Sequence, residues 1–235
     1  MPITLFMGPM YSGKTLSLIS RMERHQLLKH SCIVIGYKHD NRYTTEQKIV
    51  SHNNASWPCL KLDATELEEM VPKFLETYDV IGIDEGCFFG NIVEICTTLS
   101  NAGKTVYVSS LVGDYRRRPF GNICNLIPIC TKIEQSFAIC SGCEQENASF
   151  THLIRDELKS IKIGSKELIG STDKYISLCE PCFLKVHNKP KPASGTKNKS
   201  AAVTKEIKSK TSCKSESGSK ATTDKNITST AAAIH

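Results

Sequence analysis

"FMGPMYSGKT", Phe6 to Thr15, reads as a phosphate cradle: G-x-x-x-x-G-K-T, with Gly8, Gly13, Lys14 and Thr15 in the fixed places. Backbone N–H groups of such a loop turn inward around phosphate oxygens, and glycine permits the close approach. A helix starting near Lys14 aims its positive end at the same point. Lys14 then reaches the outer phosphates, and the Thr15 hydroxyl is placed to ligate Mg²⁺. A random loop can match this pattern by chance. Here the apolar run Ile3–Met7 precedes the loop and a helix-like stretch, Lys14 to His30, follows it, which is the strand–loop–helix context the chemistry requires.

Outward from the loop, strand-like and helix-like pieces alternate. "CIVIGY" (Cys32–Tyr37) is short and β-branched. Asp63 opens a helix with Glu66 three residues on, a capping-box pattern, and Pro72 is expected to bend or shorten it. "DVIGIDE" (Asp79–Glu85) is a buried strand ending in two acids. Ile92–Leu99 reads as a helix that stops near Gly103. "KTVYVSSL" (Lys104–Leu111) is a strand, and "TKIEQSFA" (Thr131–Ala138) a last one. This alternation predicts an α/β fold with a parallel sheet covered on both faces.

A strand ending at Asp84 sets a carboxylate on the sheet's C-terminal edge, where ligands of such sheets bind. Asp84 is a candidate for holding Mg²⁺, and Glu85 for taking a proton from an attacking hydroxyl or water. Alone, the pair also reads as two solvated acids at a strand end; the cradle upstream favours the functional reading. Phe88 and Phe89 follow directly. Both suit a core, or one packs inward while the other faces a flat heterocycle.

The chain of 235 residues is long enough for one large domain or two unequal ones. No apolar run suits a bilayer span, and "MPITLFMG" lacks the basic region of an export signal. The eleven cysteines are therefore expected to be reduced. The net charge of +6 is unevenly spread: His187–His235 holds ten lysines against Glu206, Glu216 and Asp224, or +7, leaving Met1–Val186 near −1. A near-neutral body is a poor nucleic-acid surface. The tail is rich in Lys, Ser, Thr, Asn and Ala and reads as disordered, either simply solvated or a weak basic targeting or anion-binding element. Cys213 lies in it without a partner.

"CSGC" (Cys140–Cys143) and "CEPC" (Cys179–Cys182) are two C-x-x-C pairs separated by 35 residues. Two such turns present four thiolates for a tetrahedral structural zinc. A redox pair fits less well, since there are two pairs and no thioredoxin-like context; buried free thiols are the plain alternative. The remaining cysteines read as small apolar fillers. The excursion Glu144–Leu178, stapled at its base, suits a lid that excludes water from a phosphoryl transfer.

Together "GPMYSGKT", "DNRYTT", "IGIDEGCFF", "NAGKTVYV", "YRRRPFGNICNLIP", "CSGC", "IGSTDKY" and "CEPC" resemble, in order from Ile3 to about Lys185, the cytosolic and poxvirus-type thymidine kinases (type II thymidine kinases). The resemblance implies a RecA-like P-loop domain over 1–138, a zinc-clasped lid over 139–186 and a tail over 187–235. It implies transfer of the ATP γ-phosphate to the 5′-hydroxyl of thymidine or deoxyuridine, with Glu85 as general base. The implied ATP and Mg²⁺ residues are Gly8, Pro9, Met10, Tyr11, Ser12, Gly13, Lys14, Thr15, Asp40, Asn41, Arg42, Asp84 and Cys87. Those around the nucleoside are Met10, Phe88, Tyr115, Phe120 and Tyr175, with lid backbone at Lys166, Glu167, Leu168, Ile169 and Gly170. Zn²⁺ falls to Cys140, Cys143, Cys179 and Cys182. A homotetramer, feedback inhibition by dTTP and a cytoplasmic address follow by resemblance, with nuclear entry through the tail left open.

Cys87 stands where the family commonly has glutamine, and "LVGDY" where it often has "LDGTF", so Val112, Asp114 and Tyr115 are expected to alter the approach to the pocket. Arg116–Arg118 reads as contacting phosphate or acidic neighbours, or as a solvated basic turn. The rival reading is a nucleic-acid-dependent P-loop ATPase with a zinc ribbon. It calls for a basic groove with interleaved aromatics, which the near-neutral body does not offer.

Overall fold

The computed structural model describes residues 2–40, 46–154 and 174–187, all within the compact unit Met1–Lys191. The elements in order are β1 (Ile3–Met7), α1 (Lys14–Leu27), β2 (Cys32–Tyr37), β3 (Lys48–Val50), β4 (Ser56–Pro58), β5 (Leu60–Leu62), α2 (Ala64–Thr77), β6 (Val80–Ile83) and α3 (Ile92–Asn101). There follow β7 (Thr105–Ser110), α4 (Ile123–Leu126), β8 (Lys132–Gln135), β9 (Ala138–Ile139), β10 (Glu146–Ala148), β11 (Phe150–Leu153), β12 (Tyr175–Leu178) and α5 (Glu180–His187).

Six strands form one sheet in the order β5-β2-β6-β7-β1-β8, and every neighbouring pair is parallel. The inner strands β2, β6, β7 and β1 are largely apolar on both sides because both faces are covered, whereas the edge strand β8, KIEQ, is mostly exposed. Phe6, Val34 and Val80 pack with Leu18, Ile19 and Met22 of α1 on one face. Their neighbours Leu5, Ile35 and Ile81, with Val106 and Val108, pack on the other face against Leu67, Val71 and Phe74 of α2 and Ile92, Ile95 and Leu99 of α3. Period-two alternation along each strand thus feeds two cores. Because the strands are parallel, the ends of β1, β2, β6 and β7 share one edge, and the phosphate loop, Asp84 and Ser109–Ser110 all lie there.

Asp63 caps α2 as expected. Its Oδ1 accepts from the N–H of Thr65 and Glu66 at 3.0 Å each, and Glu66 Oε2 accepts from the Asp63 N–H at 2.9 Å. Pro72 does not shorten the helix, which continues to Thr77. Buried Leu67, Val71 and Phe74 anchor it on both sides of the proline, and their burial outweighs a local cost of about 3 kcal/mol. α1 stops at Leu27 rather than His30. Lys29 takes a left-handed φ of 62°, and Leu27 and Leu28 are solvent-exposed, so no core contact holds another turn. Thr131–Ala138 is two elements: β8 pairs with β1, while Ala138 begins β9, which pairs with β10.

Around the cysteines a separate cluster forms from Ala138, Ala148, Leu178 and Phe183 with Cys140, Cys179 and Cys182. β11 and β12 form an antiparallel ladder beside it. No helix among the described residues is long and apolar enough to cross a membrane.

Candidate active site

The phosphate loop folds tightly on itself. A Cβ at Gly8 would lie 2.4 Å from the Ser136 carbonyl and 2.5 Å from Ser12 Oγ, so this position has room for glycine only. The Pro9 carbonyl accepts from Ser12 Oγ at 2.9 Å and from Lys14 Nζ at 2.7 Å. Lys14 is buried and curls back over the loop. α1 carries no acid in its first turn, so its positive end is left for an anion.

Thr15 and Asp84, 69 positions apart, meet across the sheet edge. Thr15 Oγ1 donates to Asp84 Oδ1 and Oδ2 at 3.1 and 3.3 Å. Asp84 is 7 % exposed and also accepts from Ser109 Oγ at the end of β7. A hydroxyl and a carboxylate side by side are oxygen ligands of the kind a hard divalent cation takes. Glu85 beside them is half-buried and sits at φ 54°, ψ 45°. A non-glycine residue held left-handed is strained, and such strain concentrates at functional sites. The Cys87 thiol lies 3.9 Å from Glu85 Oε2. Burial first, and then Glu85, raise that thiol well above its ordinary range, so Cys87 stays protonated.

The cleft beside these groups is lined by Gly13, Lys14, Thr15, Asp84 and Glu85, and on its far wall by Lys48–His52 of the β3–β4 hairpin and by Lys61. Asp40 lines it too. Its carbonyl accepts from Lys61 Nζ at 2.8 Å, which fixes the chain just before Asn41 and Arg42. Asn41 and Arg42 themselves lie outside the described residues, as do Lys166, Glu167, Leu168, Ile169 and Gly170.

The aromatic residues fall into two groups. Phe89 is fully buried, whereas half-buried Phe88 stacks on Tyr37 (4.7 Å between centroids) and meets Phe120 edge-on at 5.4 Å. Tyr37 also lines the cleft. Tyr115 faces Tyr175 at 6.5 Å, and the Tyr11 hydroxyl reaches the Tyr175 carbonyl at 3.5 Å. Met10 is buried within the loop. Asp114 spends both carboxylate oxygens on its own turn, accepting from the Arg116 and Arg118 N–H groups and from the Arg118 guanidinium. Arg116 lies over the Tyr115 ring. Arg117 lies over Phe150 at 4.3 Å and pairs with Glu180 at 3.5 Å. The basic run thus meets acidic and aromatic neighbours within the protein.

Cys140, Cys143, Cys179 and Cys182 converge, with all four sulfurs within 4.8 Å of one another. The Cys140–Cys179 and Cys143–Cys179 separations are 3.6 and 3.7 Å. Tetrahedral zinc–thiolate bonds require about 3.8 Å between sulfurs. A Cβ at Gly142 would meet Cys182 Sγ at 2.9 Å, so glycine is what lets the two turns close. Burial opposes ionisation of Cys140, but the N–H groups of Cys179, Gly142 and Cys143 point at its sulfur and bring it down to about 7. Burial and the neighbouring sulfurs push Cys182 up to about 12. A cluster that shares protons in this way fits Zn²⁺, which replaces them on binding. Among the described residues this is the one group of three or more such ligands.

Sequence reasoning passed over Ser109, Lys61 and the Lys48–His52 hairpin. A serine late in a strand, or a lysine in a three-residue one, carries no spacing signal; the strand end shared with Asp84 was the available clue for Ser109.

A phosphate loop at the head of a parallel sheet, answered across the edge by two acids, defines a P-loop nucleotide-binding protein with an appended four-cysteine module. Residues 1–183 match the family model described as thymidine kinase. The chain is 40 % identical to the thymidine kinases of Vaccinia virus (strain Western Reserve) and Monkeypox virus over 182 residues, covering 77 % of this chain and 96 % of each relative. Against the enzyme of Myxoma virus (strain Uriarra) the identity is 38 % over the same coverage. The chain belongs to the thymidine kinase family and is a phosphotransferase.

Proposed function

We propose that this chain transfers the γ-phosphate of ATP to the 5′-hydroxyl of thymidine or deoxyuridine, for nucleotide salvage ahead of DNA synthesis. The observation that carries the reading is the meeting of Lys14, Thr15, Asp84 and Glu85 at one sheet edge, in a chain so similar to thymidine kinases over nearly their whole length. Loop N–H groups and Lys14 hold the β- and γ-phosphates, Lys14 leaving the Pro9 carbonyl to do so. Thr15 and Asp84 would hold Mg²⁺, which when bound offsets charge on the phosphates. Glu85 accepts the 5′-hydroxyl proton as the new O–P bond forms and the bond to the ADP oxygen breaks. Arg42 adds positive charge as the phosphoryl group moves.

The phosphate-binding part, 1–138, is closed over the nucleoside by the cysteine-clasped part, 139–186, with Zn²⁺ on the four thiolates. Met10, Phe88, Tyr115, Phe120 and Tyr175 wall the nucleoside, and backbone of Lys166–Gly170 reads its base edge. Homotetramer assembly, inhibition by dTTP and a cytoplasmic address belong to the same reading. Purified protein given labelled ATP, Mg²⁺ and thymidine should yield labelled thymidine monophosphate. ATP hydrolysis without nucleoside phosphorylation, stimulated by DNA or RNA, would replace this reading with a nucleic-acid-dependent ATPase.

A further inference from the structure

The peptide of Met10 is held from outside its own loop. Its N–H donates to Thr151 Oγ1 at 3.0 Å, across 141 positions of sequence. Its carbonyl accepts from Ser177 Oγ at 2.5 Å, across 167. Both hydroxyl residues are buried, Thr151 at 6 % and Ser177 at 1 % exposure. They are direct partners in the β11–β12 ladder, so both side chains leave the same face of that strand pair. One hydroxyl accepts and the other donates, which is the complement of a single residue's backbone donor and acceptor. Without them a buried loop residue would leave both groups unpaired.

The same strands are tied at both ends. The Ser177 carbonyl accepts from the Ser141 N–H at 2.9 Å, inside the Cys140–Cys143 turn. The Ile154 N–H donates to the Lys174 carbonyl at 2.8 Å, where the chain leaves for and returns from residues 155–173. The clamp therefore lies between the cysteine turn, the base of the excursion and the phosphate loop.

We infer that Thr151 and Ser177 are positioning residues for phosphate binding: they fix the Met10 peptide, and with it the curvature of Gly8–Gly13, from the strand pair that is tied to the four-cysteine turn. The inference rests on reading the loop as a phosphate site, and its test with MgADP requires no nucleoside. Loop N–H groups hold phosphate only while they converge on it, and misplacement by about 1 Å forfeits much of the interaction. A merely structural clamp would change stability and leave the affinity of the folded molecules alone. A positioning clamp changes that affinity.

The test uses the full-length chain, with MgADP as the probe and binding read at a temperature where every variant is folded. Thr151→Val and Ser177→Ala should each weaken MgADP binding by between about 5-fold and 100-fold. Thr151→Ser, which keeps the acceptor, should stay within about twofold of the parent. Both hydroxyl-deleted variants binding MgADP within twofold of the parent would overturn the inference, as would a Thr151→Ser loss as large as that of Thr151→Val. Should the deletions prevent folding, the unmodified protein still decides. Its Met10 amide should exchange with deuterium as slowly as the amides of β1, and loop-like exchange would refute the clamp. Expected losses in a protein that makes no thymidine monophosphate would remove only the nucleoside assignment. Unchanged affinities in an active kinase would remove only the clamp.

Discussion

Ser109→Ala deletes the buried hydroxyl that donates to Asp84, and its effect can be worked from three residues. Ser109 is 1 % exposed and donates to Asp84, itself 7 % exposed, whose other hydroxyl donor given by the geometry is Thr15. A hydrogen bond to a charged acceptor contributes about 1.5–3 kcal/mol net. The space left by one oxygen is too small for a water to replace the donor. The variant should therefore be less stable by about 1.5–3 kcal/mol. At roughly 2–4 °C per kcal/mol for a domain of this size, the melting temperature should fall by about 3–12 °C. Without the Ser109 donor, Asp84 is less firmly oriented, so turnover should require more Mg²⁺ to saturate. Both effects are measured at constant zinc: unfolding by guanidinium and by heat without nucleotide, and initial rates across a Mg²⁺ series. Stability within about 0.5 kcal/mol of the parent, the range of an inconsequential surface change, together with an unaltered Mg²⁺ dependence, would show that Ser109 does not hold Asp84.

Three further outcomes follow from the same geometry. Glu85→Gln should retain MgADP binding while turnover drops by about 10²–10⁴-fold; an unchanged rate in a steady-state assay would take the proton-accepting role from Glu85. Cys179→Ser should lose bound zinc, read by metal analysis, and melt at a lower temperature, whereas equal metal content and stability would dissolve the clasp. Asp63 has its carboxyl held below 3.8, chiefly by the Glu66 N–H. Its stabilisation is therefore full above that unfolded value and is lost as pH falls through the lower folded one. The gap in denaturant midpoint between the parent and Asp63→Asn should narrow on acidification through that window, and a gap constant with pH would contradict the assignment.

Much of the fold was legible because its determinants are local. Gly8, Gly13, Lys14 and Thr15 specify a backbone shape within eight positions. The Asp63–Glu66 box marks a helix start within four, and each cysteine turn spans four. The apolar runs of β1, β2, β6 and β7 announce a sheet covered on both faces, since only that environment tolerates so few polar positions. Failures came where a distant contact outvotes a local rule. Pro72 is a helix breaker by its own chemistry, yet Phe74 and Val71 lock the next turn to the core. The stretch 48–62 carries no long periodicity, yet it supplies three short strands and one wall of the cleft.

The candidate site divides in the same way. Residues that touch phosphate by backbone shape or strand-end position, such as Gly8, Lys14 and Asp84, have a motif, because the geometry they serve is set by their near neighbours. Those that orient such residues need only one hydroxyl or one ammonium at the right point in space. Chains fold to place Ser109, Thr151, Ser177 and Lys61 there from far along the sequence, and apart from the strand-end position of Ser109 nothing in their own neighbourhoods marks them. That asymmetry is why the cysteine turns matter beyond metal binding. They are a long-range device that the sequence spells out, two C-x-x-C turns suited to one tetrahedral site, and in the structure 140–143 and 179–182 do meet, with sulfurs 3.6–3.7 Å apart. Once those turns are joined, the Ser141–Ser177 bond sets β12, the ladder sets Thr151 opposite Ser177, and the Met10 peptide is met on both sides. A local motif near the C-terminal end of the described chain thus fixes a loop at its start, through two residues that carry no motif of their own.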